Sequence, residues 1–118
     1  MRGAKLDGWS DRGQVPNVVV ACTDSILLGS AMLVAHDMDT RPEWSPWLAG
    51  AVVAPEHRRR GIGAALVERV ITEARKLGFP ALYLYTFSVE QYYTRLGWRS
   101  IERATHLGAD VAIMSFAL

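Results

Sequence analysis

A single mixed α/β domain, one sheet with a long helix packed on it, is predicted by three observations. Apolar residues run from Trp47 to Ala54 and stop at Pro55. A basic, Gly-containing turn, Arg58-Arg59-Arg60-Gly61-Ile62-Gly63, opens an amphipathic segment that lasts to Leu77. A Gly78-Phe79-Pro80 stop separates that segment from a second apolar run, Ala81 to Thr86. Strand, helix and strand in this order form a right-handed crossover, so the two strands should lie parallel.

The rest of the chain supplies antiparallel neighbours. Met1 to Gln14 is polar, with three glycines, and Met1 to Pro16 reads as a loose lead-in. Asn17 to Cys22 is β-branched and so a strand. Thr23-Asp24-Ser25 is turn chemistry. Ile26 to Ala35 is a second strand, hairpin-paired to the first, with Gly29 as a bulge or close-approach point. His36 to Pro46 is a loop holding Asp37, Asp39, Glu43 and Trp44. It is either a solvated acidic loop or a lip that attracts a cationic substrate.

Trp47 to Ala54 lacks polar alternation, which predicts a central strand buried on both faces. In the helix, Ile62, Leu66, Val70, Ala74 and Leu77 follow helical spacing. Glu68, Arg69, Glu73, Arg75 and Lys76 take the other side, with Arg69 and Glu73 spaced to pair. Gly78 suits the position after the helix end, and Pro80 prevents continuation. Val89 to Leu96 reads as a short helix before Gly97, with Ser88 and Gln91 as a capping box. Trp98 to Arg103 and Val111 to Ala117 are the fifth and sixth strands, joined by a turn from His106 to Asp110.

Composition narrows the function. The chain has 118 residues, one domain's worth, and half of them are hydrophobic. A net charge of +1 argues against a general nucleic-acid binder. Positive charge gathers at Arg58 to Arg60, which suits a small anionic ligand. Cys22 is the single cysteine, so no intrachain disulfide forms and CxxC metal patterns are absent. The acidic loop has no His or Cys pair at ligand spacing, and no metal is expected. No signal peptide or stretch of membrane-spanning length is seen, so a cytosolic, non-membrane protein is expected.

The basic turn has a clear use if a phosphate sits in it. Glycine lacks a Cβ, so at Gly61 and Gly63 backbone N–H groups can approach a bulky anion. A helix start leaves its first N–H groups without intrahelical partners and favours negative charge. No Gly-Lys-Ser/Thr follows, so the turn is not a P-loop. It also lacks the third glycine and the acidic residue of a dinucleotide fingerprint. The competing reading is a Gly-containing helix start beside a solvated charge run.

Two motifs together carry a family resemblance. Arg58-Arg59-Arg60-Gly61-Ile62-Gly63-Ala64 resembles the Arg/Gln-x-x-Gly-x-Gly/Ala signature of the GNAT superfamily, the acyl-CoA-dependent N-acetyltransferases. About thirty residues on, Tyr92-Tyr93-Thr94-Arg95-Leu96-Gly97-Trp98 resembles that family's aromatic-Tyr-x-x-Leu/Met-Gly-aromatic segment. The likeness covers roughly Asn17 to Leu118. It implies a GNAT-like fold: a mostly antiparallel sheet, a parallel strand pair around the main helix, and an abbreviated N-terminal part.

The resemblance also implies roles. Acetyl-CoA pyrophosphate would be held around Arg58, Arg59, Arg60, Gly61, Ile62, Gly63 and Ala64. The pantetheine arm would lie like an added strand along Ala51, Val52 and Val53, in a splay opened by a bulge for which Gly50 is suited. Tyr93 takes the place of the tyrosine that protonates the leaving thiolate; otherwise it is a packed helix tyrosine. Tyr92 is expected to pack in the core or against the cofactor. A strand N–H near Val53 would serve the carbonyl oxygen.

This chain departs from the family pattern in two ways. Trp47-Leu48-Ala49 holds no acid where many members carry a glutamate base, which leaves Glu43, Asp39, His36 or ordered water. Met1 to Pro16 stands where the family has a strand and one or two helices. The acceptor side is therefore expected to be open, completed by a second subunit, or lost, and a homodimer is the favoured expectation. The implied function is acetyl transfer from acetyl-CoA to a primary amine. The alternative is a degenerate acyl-CoA-binding module without turnover.

Overall fold

In the computed structural model of the chain, residues 5–7, 17–23, 26–38, 41, 43–53 and 61–118 are described. Among them, strands β1 (Lys5–Asp7), β2 (Asn17–Thr23), β3 (Ile26–Val34), β4 (Trp47–Val53), β5 (Ala81–Thr86), β6 (Arg99–His106) and β7 (Ala109–Ala117) form one sheet. Its order is β1-β2-β3-β4-β5-β7-β6. Only β4 and β5 run parallel, as the crossover through α1 (Ile62–Lys76) requires. The short helix α2 (Glu90–Arg95) follows β5. The lead-in is not structureless: Lys5–Asp7 pairs with Val20 to Cys22. Three residues are too few to show an alternating pattern in sequence.

The parallel pair is where the sheet comes apart. Its registered pairing is Trp47 with Tyr83. Just beyond, β4 bulges. Met32 pairs with Ala49, but Ser30 pairs with Val52, so β4 carries an extra residue against β3. Gly50 stands at that point with φ +60°, a conformation that side chains disfavour. The predicted bulge is thus present. Burial on both faces holds only for Trp47 and Leu48; Gly50, Ala51 and Val52 are exposed, Val52 by 59%. The reason is tertiary: β5 diverges from the second half of β4.

The sheet has two apolar faces. Toward α1 lie Leu28, Ala31, Leu33, Leu48, Leu82 and Leu84, against Ile62, Leu66, Val67, Val70 and Ala74 of the helix. Opposite lies a smaller cluster of Met38, Trp47, Val111 and Ile113, flanked by Trp44, Tyr83 and Tyr85. Strand β5 alternates between the two, leucines one way and tyrosines the other. Gly29 is the predicted close-approach point. A Cβ there would lie 2.6 Å from the Val52 carbonyl oxygen and 3.1 Å from Leu66 Cδ1.

Three local details differ from expectation. Glu73, expected on the solvent side of α1, is 5% exposed; Arg69 Nε donates to its Oε2 at 2.9 Å and Lys76 Nζ lies at 3.5 Å. Ser88 does not cap α2. Val89 holds the cap position without a side-chain cap, and the Val89 N–H donates instead to Thr86 Oγ1 at 3.2 Å. The last turn is tighter than predicted. Strands β6 and β7 run up to Leu107-Gly108, at φ +53° and +80°, the two positive values of a short hairpin turn.

Candidate active site

The divergence of β4 and β5 leaves a cleft, and two cavities meet in it. The larger, about 600 Å³, is bounded by the end of β4, the start of α1 and one side of α2. It brings together Ala51, Val52, Val53, Gly61, Ile62, Gly63 and Ala64 with Tyr92 and Tyr93. Every described residue of the predicted set therefore faces one space. Arg58, Arg59 and Arg60 lie outside the described residues, as do Asp39 and Pro55.

The head of α1 fits an anion. Gly61 holds the N-cap position at φ +76°, ψ +6°, and no described side chain caps the helix. The first turn carries no acidic residue. The first intrahelical bond runs from the Ala65 N–H to the Gly61 carbonyl at 3.1 Å. A helix start leaves the N–H groups before that bond, at Ile62, Gly63 and Ala64, without intrahelical partners. Gly63 is confined from the cleft side: a Cβ there would lie 3.1 Å from Tyr92 Oη and 3.6 Å from Val53 Cγ2.

The two tyrosines of α2 part ways. Tyr92 turns its hydroxyl to the head of α1. Tyr93 packs on the main core, with Trp98 edge-on at 6.0 Å between ring centroids. Its carbonyl accepts from the Leu96 and Trp98 N–H groups at 3.0 and 3.1 Å, which fixes the start of the Gly97 turn. Burial pushes the Tyr93 phenol above its ordinary value, and a charge on Tyr92 would push it further; burial alone raises Tyr92. Both hydroxyls therefore keep their protons at neutral pH.

The second cavity, about 300 Å³, opens on the other side of the splay. Its walls are Leu48 to Ala51 of β4 and Leu84 to Val89 at the end of β5, closed by Asp37 and Tyr93. Ala51, Val89 and Tyr93 belong to both cavities. Burial pushes the Asp37 carboxyl up from the ordinary carboxylate value, and His106 pulls it partly back. The same burial, and then Asp37, push the Tyr85 phenol up. Tyr85 and His106 stand edge-to-face at 4.7 Å.

The acidic lip is only partly what the sequence predicts. Asp37 enters the cavity wall, whereas Glu43 and His36 are exposed. Arg41 adds a cation to the loop; it is bonded to Glu102 and lies 5.8 Å from the Trp44 ring. Trp44 in turn stacks on Tyr83 at 5.5 Å. His106 and Tyr85 escaped the sequence reading because no local spacing ties them to Asp37; the sheet order does. Among the described residues, no group of His, Cys, Asp and Glu is arranged to hold a metal ion. No described helix is long and apolar enough to cross a membrane.

A splayed parallel strand pair, an uncapped helix head and a tyrosine at the junction are the features that the resemblance to acyl-CoA-dependent acetyltransferases calls for. The model of the acetyltransferase (GNAT) family matches residues 4–98, and the chain belongs to that family. Solved structures agree in fold. A GNAT family acetyltransferase from Elizabethkingia anophelis, with acetyl-CoA bound, superposes with a TM-score of 0.75 at 14% identity over 100% of both chains. Ribosomal-protein-alanine N-acetyltransferase from Brucella melitensis gives 0.72 at 22% identity, over 87% of this chain and 69% of that one. A Salmonella typhimurium protein solved with its cofactor acetyl-CoA gives 0.70 at 21% identity over 86% of this chain. This chain spans 64% of the length of the Salmonella protein. Among curated proteins, none matches the chain.

Proposed function

We propose that the protein is an N-acetyltransferase that moves an acetyl group from acetyl-CoA to a primary amine within a ternary complex. The observation that carries the reading is the pair of cavities joined at Ala51, Val89 and Tyr93. One side suits the cofactor, the other an acceptor, and a phenol stands between them. In this reading the N–H groups of Ile62, Gly63 and Ala64 hold the pyrophosphate, with Arg58 to Arg60 supplying charge. The edge of β4 at Ala51 to Val53 lines up the pantetheine arm. Acetyl-CoA supplies an activated acyl carbon and a thiolate leaving group.

The residues of the chain then have separate tasks. Ala51 to Val53 fix the position of the acyl carbon relative to the second cavity, which converts a bimolecular encounter into a directed one. Tyr93 donates its proton to the departing sulfur, and the raised phenol keeps that proton available. The acceptor nitrogen must be neutral when it attacks, so its proton has to leave first. We also place the protein in the cytosol, as a homodimer formed through the sheet face opposite α1.

Release of free CoA from acetyl-CoA in the presence of a panel of primary amines tests the transferase reading. Amine-dependent release is the expected result. Tight acetyl-CoA binding with no release for any amine would overturn it in favour of a cofactor-holding module.

A further inference from the structure

We propose that Asp37, with the aromatic walls of Tyr85 and Phe87, forms the site for the acceptor's ammonium group, and that Asp37 takes its proton. The inference rests on the transferase reading and names the base and the acceptor class. The sequence offers no acid on the first half of β4. The fold supplies one from the segment between β3 and β4: Asp37 lines the same cavity as Tyr93 and carries the only charge among its described lining residues.

The surroundings of Asp37 fit a single cation. Tyr85 and Phe87 stand edge-to-face at 5.9 Å, and both line the cavity. Aromatic faces attract an ammonium, and a partly desolvated carboxylate attracts it more strongly. The other walls are Leu48, Ala49, Gly50 and Leu84, with the hydroxyls of Thr86 and Ser88. Such a space accepts a primary amine with a compact, uncharged body, and among the described residues it offers no second carboxylate for a polyamine. Among the described residues, the titratable groups facing Asp37 are His106, from the end of β6, and Tyr85, from β5; Tyr93 of α2 faces the same cavity.

The step balances. An N–H proton of the ammonium passes to the Asp37 carboxylate. The freed nitrogen lone pair forms a bond to the acyl carbon, the carbon–sulfur bond breaks, and the sulfur takes the proton of Tyr93; the nitrogen, cationic once bonded, releases its second proton to solvent and leaves the neutral amide. Asp37 returns its proton to solvent, and Tyr93 regains one from solvent. Because burial raises the Asp37 carboxyl, the base is lost at a higher pH than for an exposed aspartate. Activity should therefore rise with pH through that raised value.

The experiment compares wild type, Asp37→Asn and Asp37→Glu with phenethylamine and spermidine as probes. Three readouts are taken: CoA release against pH, acetyl-CoA affinity by calorimetry, and saturation-transfer NMR of phenethylamine on the CoA-loaded protein. In wild type, phenethylamine should bind and turn over with the higher kcat/KM of the two amines. Asp37→Asn should lower its kcat/KM by about 10²-fold or more, the contribution of a positioned base. That variant should also weaken the NMR signal, abolish the acidic limb and leave acetyl-CoA affinity unchanged. Asp37→Glu should restore the limb. An Asp37→Asn enzyme with the wild-type limb and kcat/KM would overturn the proposal, as would absence of phenethylamine binding to the wild type. Asp37-dependent binding without CoA release would overturn proton transfer and the transferase reading together, and would support the ammonium site.

Discussion

Tyr92 Oη lies 3.1 Å from the point that a Cβ on Gly63 would occupy, so α2 closes over the head of α1 through one hydroxyl. This contact joins the two sequence motifs in space. It also makes the glycine's missing side chain a condition of the cleft's shape.

Gly63→Glu should abolish acetyl-CoA binding while the fold persists, because a carboxylate would occupy the phosphate position. Gly63→Ala should weaken binding more gently, since its methyl meets a tyrosine end that must give by a few tenths of an ångström. Adding Tyr92→Phe removes the atom it meets and should recover affinity. Calorimetry with circular dichroism as a fold check reads all three. Unchanged affinity in a folded Gly63→Glu variant would place the pyrophosphate elsewhere.

Tyr93→Phe keeps the ring against Trp98 and the core and removes only the hydroxyl. With that hydroxyl as the acid, kcat should fall by about 10²–10⁴, toward the lower end because a CoA thiolate leaves readily. Acetyl-CoA affinity should hardly change. Tyr92→Phe is the control and should leave kcat near wild type. Equal single-turnover rates for Tyr93→Phe and wild type would remove the acid assignment.

Val18, Met32 and Val52 lie exposed on the sheet face opposite α1, with Val18 and Met32 cross-strand partners. The proposed dimer would use this exposed apolar surface as its association face. Met32→Lys should convert the proposed dimer to monomer at micromolar concentration in light scattering. A wild type that is already monomeric there, with full activity, would dispose of the dimer.

Glu73 is buried beside Arg69, and its carboxylate needs that partner. Arg69→Met should cost about 1–3 kcal/mol of unfolding free energy, the range for a buried group left short of a hydrogen bond. The expected loss is held below that of a fully buried pair because Arg69 is 31% exposed and Lys76 stays near. Glu68→Ala, on the exposed side of the same helix, should change stability by less than about 0.5 kcal/mol. Urea denaturation measures both. Equal, negligible effects would show that the pair contributes nothing.

The chain's own residues, read in order, determine the strand–helix–strand unit, the bulge at Gly50 and the glycine-bearing helix start at Gly61 to Ala64. These are local matters. Apolar periodicity, proline stops and glycines without a Cβ act within a few residues, so they are legible along the chain. The placement of Ala51 to Val53 and Tyr93 around one space was also foreseeable, because both motifs flank a single crossover. Tertiary structure alone decided the rest. The open second half of β4 follows from where β5 diverges, although its composition reads as buried. Glu73 goes inside although its helical position reads as outside. Asp37, Tyr85 and His106 meet because strand order and register carry distant segments to one end of the sheet. Those are set by burying whole faces at once, a requirement that no short stretch of sequence displays.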